Sequence, residues 1–396
     1  MFTSEQFEVH LQPAQEKFVQ ISLMQHFFED ESGVQVRKLR KVGELQGNAV
    51  GGSINISNNS AVRRTCSIEM VVSNSNFLVA EDSYIWLDKW FRVETGIRNL
   101  KTDEIVWFDK GIFAINNPSV AYDVSTKKLS LEGLDLMSTM DGTLGGTLGN
   151  ITRIPKESSI EDAIRLCVHQ LGKIPNSQIY IEQNALPIPF DLEKSETDTV
   201  YSLLDEIKSL YMDWEMFFDV RGRFVYQKIK NRNVVNPNPN FSNDVVVFKF
   251  LEQHDLAVSY NLNYQFSHVK NKIVVWGRML DSGIQIHHEM ENTNPDSPFS
   301  VNKNLGIRLL TVMDDKIQTL EQATQRARFE FYKHNNMLET VSVECVPLYF
   351  LSVNQLIEFD KTDIGLKGKY LIDSISIPLG HSGNMSVSAH RVYAIE

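Results

Sequence analysis

The feature that most constrains this chain is a series of short segments rich in β-branched and aromatic residues in its first third. Residues 53–57 alternate between polar and apolar side chains, and segments of the same character follow at 66–72, 90–97 and 105–115. Alternation with a period of two places the apolar side chains on one face of a strand. Several strands at such short spacing predict a small β-barrel or β-sandwich.

Two turns are predicted within this region. The glycine of Asp109-Lys110-Gly111 marks one hairpin turn, and residues 122–124 and 128–133 form a second strand pair joined across 125–127. Glycine and short polar side chains are typical of such turns because they tolerate backbone conformations that other residues avoid.

The middle of the chain changes to helical periodicity. Ser158 and Glu161 form a capping-box pattern, and apolar residues including Cys167 then recur at helical spacing as far as Gly172. Cys167 is therefore predicted to be a small core residue. A second helix over 200–211 runs directly into strands at 214–220 and 224–227, which Gly222 separates, so this part is predicted to form a compact α/β unit.

A segment rich in asparagine and proline at 231–243 predicts a linker, and short strands return beyond it. A helix is predicted over 316–335, with Thr319 as its N-cap. The predicted strands of this part are 245–250, 256–262, 271–277, 340–346, 355–359, 370–377 and 385–392. The fold class predicted is α+β, mainly β: two similar β-barrel domains, 1–150 and 236–396, with an α/β insert of helix plus β-hairpin at 151–235.

Composition excludes some classes of function. The chain has 396 residues with 39 Lys plus Arg against 50 Asp plus Glu, which gives a formal net charge of −11. That charge provides no electrostatic basis for tight nucleic-acid binding. The three cysteines are far apart and form no C-x-x-C pair, which predicts neither a disulfide framework nor a zinc site. No signal peptide or membrane span is recognisable, so we expect a soluble protein made in a cytoplasm.

Three patterns resemble catalytic, phosphate-binding or metal sites, and each has a simpler structural interpretation. The glycine-rich stretch 141–149 lacks the Lys-Ser/Thr ending of a phosphate loop and is predicted to be a flexible loop or crossing. Glu215 and Asp219 lie four apart and could form a carboxylate pair, but exposure at a hairpin edge is the favoured interpretation. The stretch His287 to Glu291 includes two adjacent histidines that point to opposite strand faces, which disfavours a metal site.

The basic cluster Arg37 to Lys41 is of the kind that contacts nucleic acid or acidic proteins. In a chain of net negative charge, it is expected to face solvent or an acidic neighbouring subunit. No G-x-S-x-G, H-E-x-x-H or Cys/His nucleophile pattern occurs. We therefore predict no catalytic, cofactor-binding or metal-binding residues, no cofactor, and a protein that is not an enzyme.

Several motifs, taken in order, resemble those of one protein family. The stretch from Tyr201 to Phe224 is similar to the helix-hairpin unit of phage baseplate hub proteins. The same order of motifs continues through the strand at 271–277, the loop with two prolines, the helix with Gln322-Ala323 and Arg326-Ala327, and the closing 366–372. The resemblance covers the chain from about Tyr201 to its end. The family comprises the tube-to-spike hubs of phage tails and of related contractile injection particles.

This resemblance implies an architecture and a function. Hub proteins of this family are usually homotrimers in which each subunit carries two barrels like the tail-tube subunit. Three chains then present a pseudo-sixfold ring, and its two faces match a hexameric tube and a threefold spike. The resemblance thus implies a structural baseplate subunit of the virion tail, made in the host bacterial cytoplasm, with a channel that DNA passes through without specific binding.

The implied partners are further copies of the chain, the tail tube or distal tail protein ring, and the spike or tip protein. The C-terminus of the tape measure protein and baseplate wedge proteins are further candidates. Two other functions remain open at this point. One is a tail-tip cell-wall hydrolase, and the other is a carbohydrate- or receptor-binding tail protein, for which Trp86, Trp90 and Trp107 are the motivating residues.

Overall fold

The fold is that of a computed structural model. It describes residues 3–45, 49–71, 79–81, 83–122, 127–184, 187–211, 214–229, 246–251, 256–280, 282–303, 305–336, 338–380 and 382–392. The predicted linker at 231–243 and most of the predicted turn at 125–127 lie outside these residues. Strands make up 48% and helices 16%, so the predicted mainly β, α+β class is confirmed.

The helices are short and few in the described ranges. They are α1 (Ser4–Glu8), α2 (Ile160–Arg165), α3 (Val200–Leu210) and α4 (Leu320–His334). A π-helical turn over Leu166–Leu171 continues α2, and 3-10 turns occur at Val9–Leu11, Leu136–Thr139, Asn176–Gln178 and Phe266–His268.

Most of the described strands follow one another without an α-helix between them. The strands are β1 (Lys17–Glu31), β2 (Val34–Glu44), β3 (Ala49–Ser57), β4 (Arg64–Val71), β5 (Lys89–Arg98), β6 (Ile105–Ile115), β7 (Ser119–Tyr122), β8 (Lys127–Leu134), β9 (Thr152–Ile154), β10 (Ile179–Ile181), β11 (Leu192–Lys194), β12 (Trp214–Phe218), β13 (Phe224–Lys228), β14 (Val246–Leu251), β15 (Ala257–Gln265), β16 (Lys272–Met279), β17 (Gln285–Glu291), β18 (Leu309–Met313), β19 (Leu338–Cys345), β20 (Leu356–Lys361), β21 (Leu366–Pro378) and β22 (Met385–Arg391).

The chain divides into two compact units. The first comprises residues 1–228, 344–353 and 373–387, and the second comprises 229–343, 354–372 and 388–396. The boundaries at residues 150 and 235 that we predict from the sequence stay predictions.

In the first unit, the second half of β21 pairs with β3, and the order continues β3-β4-β8-β6-β5-β1-β2, with β7 beside β8. The period-two pattern read from the sequence is confirmed, since Ile54 and Ile56 on β3 are buried while Asn55 between them is exposed. Phe91 and Phe113 stack with their ring centroids 5.4 Å apart. A Cβ on Gly133 would lie 2.3 Å from the Phe91 ring, so only glycine lets β8 pass this aromatic pair.

The α/β segment of this unit shares a core with the strands that precede it. Trp90, Ile112 and Ala114 from β5 and β6 pack in one buried cluster with apolar residues of α2, α3, β12 and β13. Cys167 is fully buried there, as predicted. The strands β10 and β12 flank β13, with β10 parallel and β12 antiparallel to it. The helix-then-hairpin unit predicted from the sequence is therefore confirmed.

Two local predictions are wrong, and both errors have a physical reason. The N-cap of α2 is Ser159, whose hydroxyl accepts from the Asp162 amide at 3.0 Å, not Ser158. Adjacent serines offer equivalent caps, so spacing alone does not distinguish them. Gly111 does not form a hairpin turn, because β6 continues through it. The register between β5 and β6 shifts at Val93 and Glu94, so Gly111, with φ of 151°, lies in a β-bulge.

In the second unit, β20 pairs with β14 in parallel and with the first half of β21 in antiparallel orientation. A separate mixed sheet has the order β17-β16-β18. Its Ile273 and Val275 pack against Ala323 and Ala327 of α4, which covers one face of this sheet. The N-cap Thr319 is confirmed, and Gln322 completes a capping box with it.

The predicted closure into barrels is not found in the described strands. In the first unit the strand order ends at β2, which pairs with β1 alone among the described strands. None of the described residues contributes to a closed barrel. Alternation and strand count are shared by open and closed sheets, because closure depends on stagger and tilt that local sequence does not specify.

The glycine-rich stretch yields a test of this fold. Gly146 has φ of +92°, and a Cβ on it would lie 2.3 Å from the Met140 backbone. Gly149 also has positive φ, at +72°, but nothing lies within 4 Å of its added Cβ. We expect Gly146→Ala to lower the free energy of unfolding clearly more than Gly149→Ala, which carries the backbone strain alone, about 1 kcal/mol. Urea unfolding of both variants measures the difference, and equal losses would contradict this packing.

Candidate functional site

A buried group of charged residues lies where the hairpin β12–β13 meets β4 in the first unit. Arg63 Nη2 donates to Glu215 Oε2 at 2.7 Å, and both side chains are 7% exposed. Gln227 Nε2 donates to the other Glu215 oxygen at 2.8 Å, and the Arg63 guanidinium carbon lies 3.9 Å from the centre of the Phe217 ring. Glu215 is thus held as a structural ion pair, and the predicted exposure at a hairpin edge is wrong for it.

Arg64, the next residue, adds contacts to Phe218 and Asp135. Its Nη1 donates to the Phe218 carbonyl oxygen, and its backbone amide donates to Asp135 Oδ2 at 2.9 Å. The second Asp135 oxygen accepts from the Met137 amide at 3.0 Å, so this carboxylate joins β4 to the turn after β8. Burial lowers the pKa of Arg64 to about 10 and raises the pKa of Asp135 to about 6.

A second buried arrangement binds both polar groups of one peptide unit. His10 Nε2 accepts from the Tyr349 amide at 2.9 Å, and Lys110 Nζ donates to the Tyr349 carbonyl oxygen at 2.6 Å. Because an N–H can only donate, His10 Nε2 carries no proton, and its Nδ1 donates to the Gln6 carbonyl oxygen at 2.8 Å. The tautomer of His10 is therefore fixed, and residues from three distant parts of the chain meet at Tyr349.

We call His10 and Lys110, which bind the peptide unit of Tyr349, the clasp at Tyr349. Desolvation explains the protonation states of these two side chains. Burial lowers the pKa of His10 to about 4, which keeps it neutral, and lowers the pKa of Lys110 to about 7, with the nearby Arg64 charge acting in the same direction. The Lys110 ammonium also lies 4.9 Å from the centre of the Tyr349 ring. The two groups are organised to hold a backbone segment.

The other residues singled out in the sequence are dispersed. Asp219 lies beyond the end of β12 and accepts from the amides of Arg221 and Arg223 at 2.9 Å, so it shapes the hairpin turn and does not pair with Glu215. In the glycine-rich stretch, the Gly146 carbonyl accepts from the Val200 amide at 2.8 Å. The loop is therefore anchored to the start of α3 by this hydrogen bond.

The basic cluster of β2 is partly neutralised by its neighbours. Lys38 pairs with Glu29 at 2.6 Å and Lys41 pairs with Glu44, while Arg37 lies 5.4 Å from the centre of the Trp90 ring. These cations therefore pair within the β1–β2 hairpin or pack on an aromatic ring.

The histidines and tryptophans also separate. His287 packs on Trp276 with ring centroids 4.2 Å apart. Trp90 is buried in the core, Trp107 is half-buried on β6, and Trp86 lies in a surface groove of about 610 Å³ beside Asp88. In the described part of the chain, no group of three or more His, Cys, Asp or Glu is arranged to hold a metal ion. None of the helices described there combines the length and apolar character of a membrane crossing.

Sequence reasoning missed the residues that organise this unit: His10, Arg63, Arg64, Lys110 and Asp135. Each is a charged or polar side chain next to an apolar strand or turn, and such residues are usually exposed. Only their long-range partners, 71 to 339 residues away, show that they are buried.

Comparison with known proteins places this fold. Residues 296–395 match a family model described as a domain of unknown function (DUF5048). No curated protein sequence matches the chain. The 43 kDa tail protein of prophage MuSo2 from Shewanella oneidensis has a similar structure, with a TM-score of 0.60 at 13% identity, over 94% of this chain and 98% of that one.

Two further solved structures agree. A tail protein from Neisseria meningitidis MC58 has a TM-score of 0.58 at 10% identity, with 94% of this chain and 96% of that chain covered. The prophage tail protein gp18 from Listeria monocytogenes EGD-e has a TM-score of 0.56 at 12% identity, with 94% of both chains covered. The chain therefore has the fold of prophage tail proteins, as its resemblance to the baseplate hub family implies.

The buried ion pair provides a prediction about stability. Replacing Glu215 by Gln leaves the Arg63 charge buried without its counter-ion, which costs about 3–5 kcal/mol. The matched control is Glu29→Gln, which breaks an ion pair with Lys38 of the same 2.6–2.7 Å length at the surface. We expect the control to cost less than about 1 kcal/mol. Equal losses in denaturant unfolding would show that the Arg63–Glu215 pair does not hold the hairpin.

A second prediction concerns the pH dependence of stability. The pKa of His10 is about 4 in the folded protein, below its usual 6.5, so the unfolded chain binds the extra proton between these pH values. The contribution of neutral His10 to the free energy of unfolding is complete above pH 6.5 and decreases by up to about 3 kcal/mol as the pH falls to 4. The His10→Phe variant should be less stable by a constant amount and should lack this decrease of the free energy of unfolding at low pH. Denaturant unfolding from pH 4 to 7 measures both effects. A slope identical to wild type would contradict a buried neutral His10.

Proposed function

We propose that this chain is a structural subunit of a phage-type tail, a baseplate hub that joins the tail tube to the tip or spike. The observation that carries the proposal is the extent of the fold match. Prophage tail proteins of nearly the same length share the fold over 94% of this chain and 94–98% of their own. A match that covers nearly the whole of both chains favours a common architecture over one shared domain within otherwise different proteins.

The division into two units supports a ring of three copies. Each unit contains several β-strands and buried apolar residues. Three chains would then supply six β-rich units, which is the number needed to face a sixfold tube on one side while keeping threefold symmetry on the other. In this proposal the ring encloses a channel, and the net charge of −11 favours passage of DNA without retention.

The proposed partners follow from that position. They are further copies of the chain, the tail tube or distal tail protein ring, and the spike or tip protein, with the tape measure protein and baseplate wedge proteins as neighbours. The protein would be made in the cytoplasm of the host bacterium and incorporated into the virion tail. Its role is scaffolding: the buried ionic contacts of the first unit would transmit position from tip to tube without local unfolding.

The ring predicts a defined mass and shape. Sedimentation of the purified chain should show a species of three times 45.3 kDa, and negative-stain images should show a ring with a central opening. A chain that remains monomeric at all concentrations, and after addition of its tail tube protein, would contradict the proposal.

The non-enzymatic role has its own test. Incubation of the purified protein with peptidoglycan should release neither sugars nor peptides above the level of a heat-denatured control. Release that depends on folded protein would favour a tail-tip hydrolase instead.

A further inference from the structure

The surface groove beside Trp86 in the first unit has the lining of a ligand site. Its volume is about 610 Å³, and the loop that precedes β5 lines it together with parts of β1 and β2. Pockets that take small molecules usually measure about 300–1,000 Å³. The lining combines the aromatic rings of Tyr84 and Trp86 with the amide of Gln25 and the carboxylates of Glu81 and Asp88. We call this site the Trp86 groove.

The loop that carries the two aromatic rings is anchored to the sheet. The His26 amide of β1 donates to the Asp88 carbonyl oxygen at 3.1 Å. Ile85 is fully buried, while its neighbours Tyr84 and Trp86 are only half-buried. The anchored backbone thus holds both rings at the surface before any ligand binds, which lowers the entropy that binding would cost.

A series of hydrogen bonds also fixes the polar side chains of the groove. Arg40 Nη2 donates to Gln25 Oε1 at 2.9 Å, and Gln25 Nε2 donates to Asp88 Oδ2 at 2.6 Å. Lys89 Nζ donates to Asp88 Oδ1 at 2.7 Å. The Asp88 side chain is still 31% exposed, and a carboxylate oxygen can accept more than one hydrogen bond. A ligand hydroxyl can therefore donate to a carboxylate that is already held in position.

The charges of the groove restrict the class of ligand. Asp88 is balanced by Lys89, and Glu81 adds an exposed negative charge. Phosphate and other anions are therefore repelled. An apolar ligand is also disfavoured, because it would remove Gln25 and Asp88 from water without offering hydrogen bonds in return. The ligand needs hydrogen-bond donors for the carboxylates and an apolar face for the aromatic rings.

A neutral polyhydroxylated ligand fits better than a cation. The Lys89 ammonium already pairs with Asp88 and repels a second positive charge at that carboxylate. A sugar ring carries C–H groups on its face, which can pack on an aromatic ring, and hydroxyl groups around its edge, which can donate to carboxylates.

We infer that the Trp86 groove binds a neutral saccharide, with one sugar ring packed on Trp86 and its hydroxyl groups donating to Asp88 and Glu81. This binding activity goes beyond the proposed hub role, and it does not depend on the ring of three copies.

Fluorine NMR of the full chain tests the site. The chain has five tryptophans, so labelling with 5-fluorotryptophan gives five resonances, each assigned by the Phe variant of that tryptophan. The probes are maltotriose, cellotriose and triacetylchitotriose, with spermidine and inorganic phosphate as charged comparisons. At least one of the sugars should shift the Trp86 resonance in a saturable manner. The resonance of Trp107, which is half-buried on β6 outside the groove, should stay unchanged.

Matched variants measure the contribution of the ring and of the charge. Trp86→Ala should weaken binding of that sugar about tenfold, whereas Trp107→Ala should leave it unchanged, with thermal melting showing that both are folded. Glu81→Gln keeps a hydrogen-bonding group and removes the charge, so it should weaken sugar binding by less than about threefold. A cationic ligand would instead lose most of its affinity in Glu81→Gln.

The results that would overturn the saccharide site are equally specific. They are the absence of a Trp86 shift with all three sugars, an equal shift at Trp107, or a shift with spermidine or phosphate alone. Undiminished sugar binding by folded Trp86→Ala would overturn it as well. Each of these results leaves the hub ring intact, because sedimentation tests the ring separately.

Discussion

The ion pair between Arg63 and Glu215 is the contact on which the first unit depends most. Two oppositely charged groups that are removed from water are stable only if they stay together, so the hairpin that carries Glu215 has one position against β4. Arg64 and Asp135 add the same condition for the turn after β8. Buried charge thus converts an apolar contact, which tolerates sliding, into one with a fixed register.

This rigidity is relevant to a tail protein. In the proposed role, a subunit that joins two assemblies of different symmetry would have to hold its surfaces in place. The clasp at Tyr349 acts in the same way as the ion pair. By binding the amide and the carbonyl of one residue, His10 and Lys110 fix a segment from the C-terminal part of the chain within the first unit.

Local features of the fold were largely predictable. The strands at 53–57 and 66–72, the helix-hairpin unit after Val200 and the Thr319 cap follow from periodicity and capping, which act over a few residues. The bulge at Gly111 was not predictable, because glycine suits a turn and a bulge equally well. The exposure assigned to Glu215 failed for a similar reason: a carboxylate is expected in solvent until its partner, 152 residues earlier, is known.

The sequence by itself determined the mainly β class, the order of the α/β segment within it, and the resemblance to baseplate hub proteins, because these depend on local patterning and on motif order. Tertiary structure decided which strands pair, that the described sheets stay open, and which charged residues are buried. These properties arise from contacts between residues far apart in the chain, and the free energy of such contacts depends on a geometry that no local window of sequence contains.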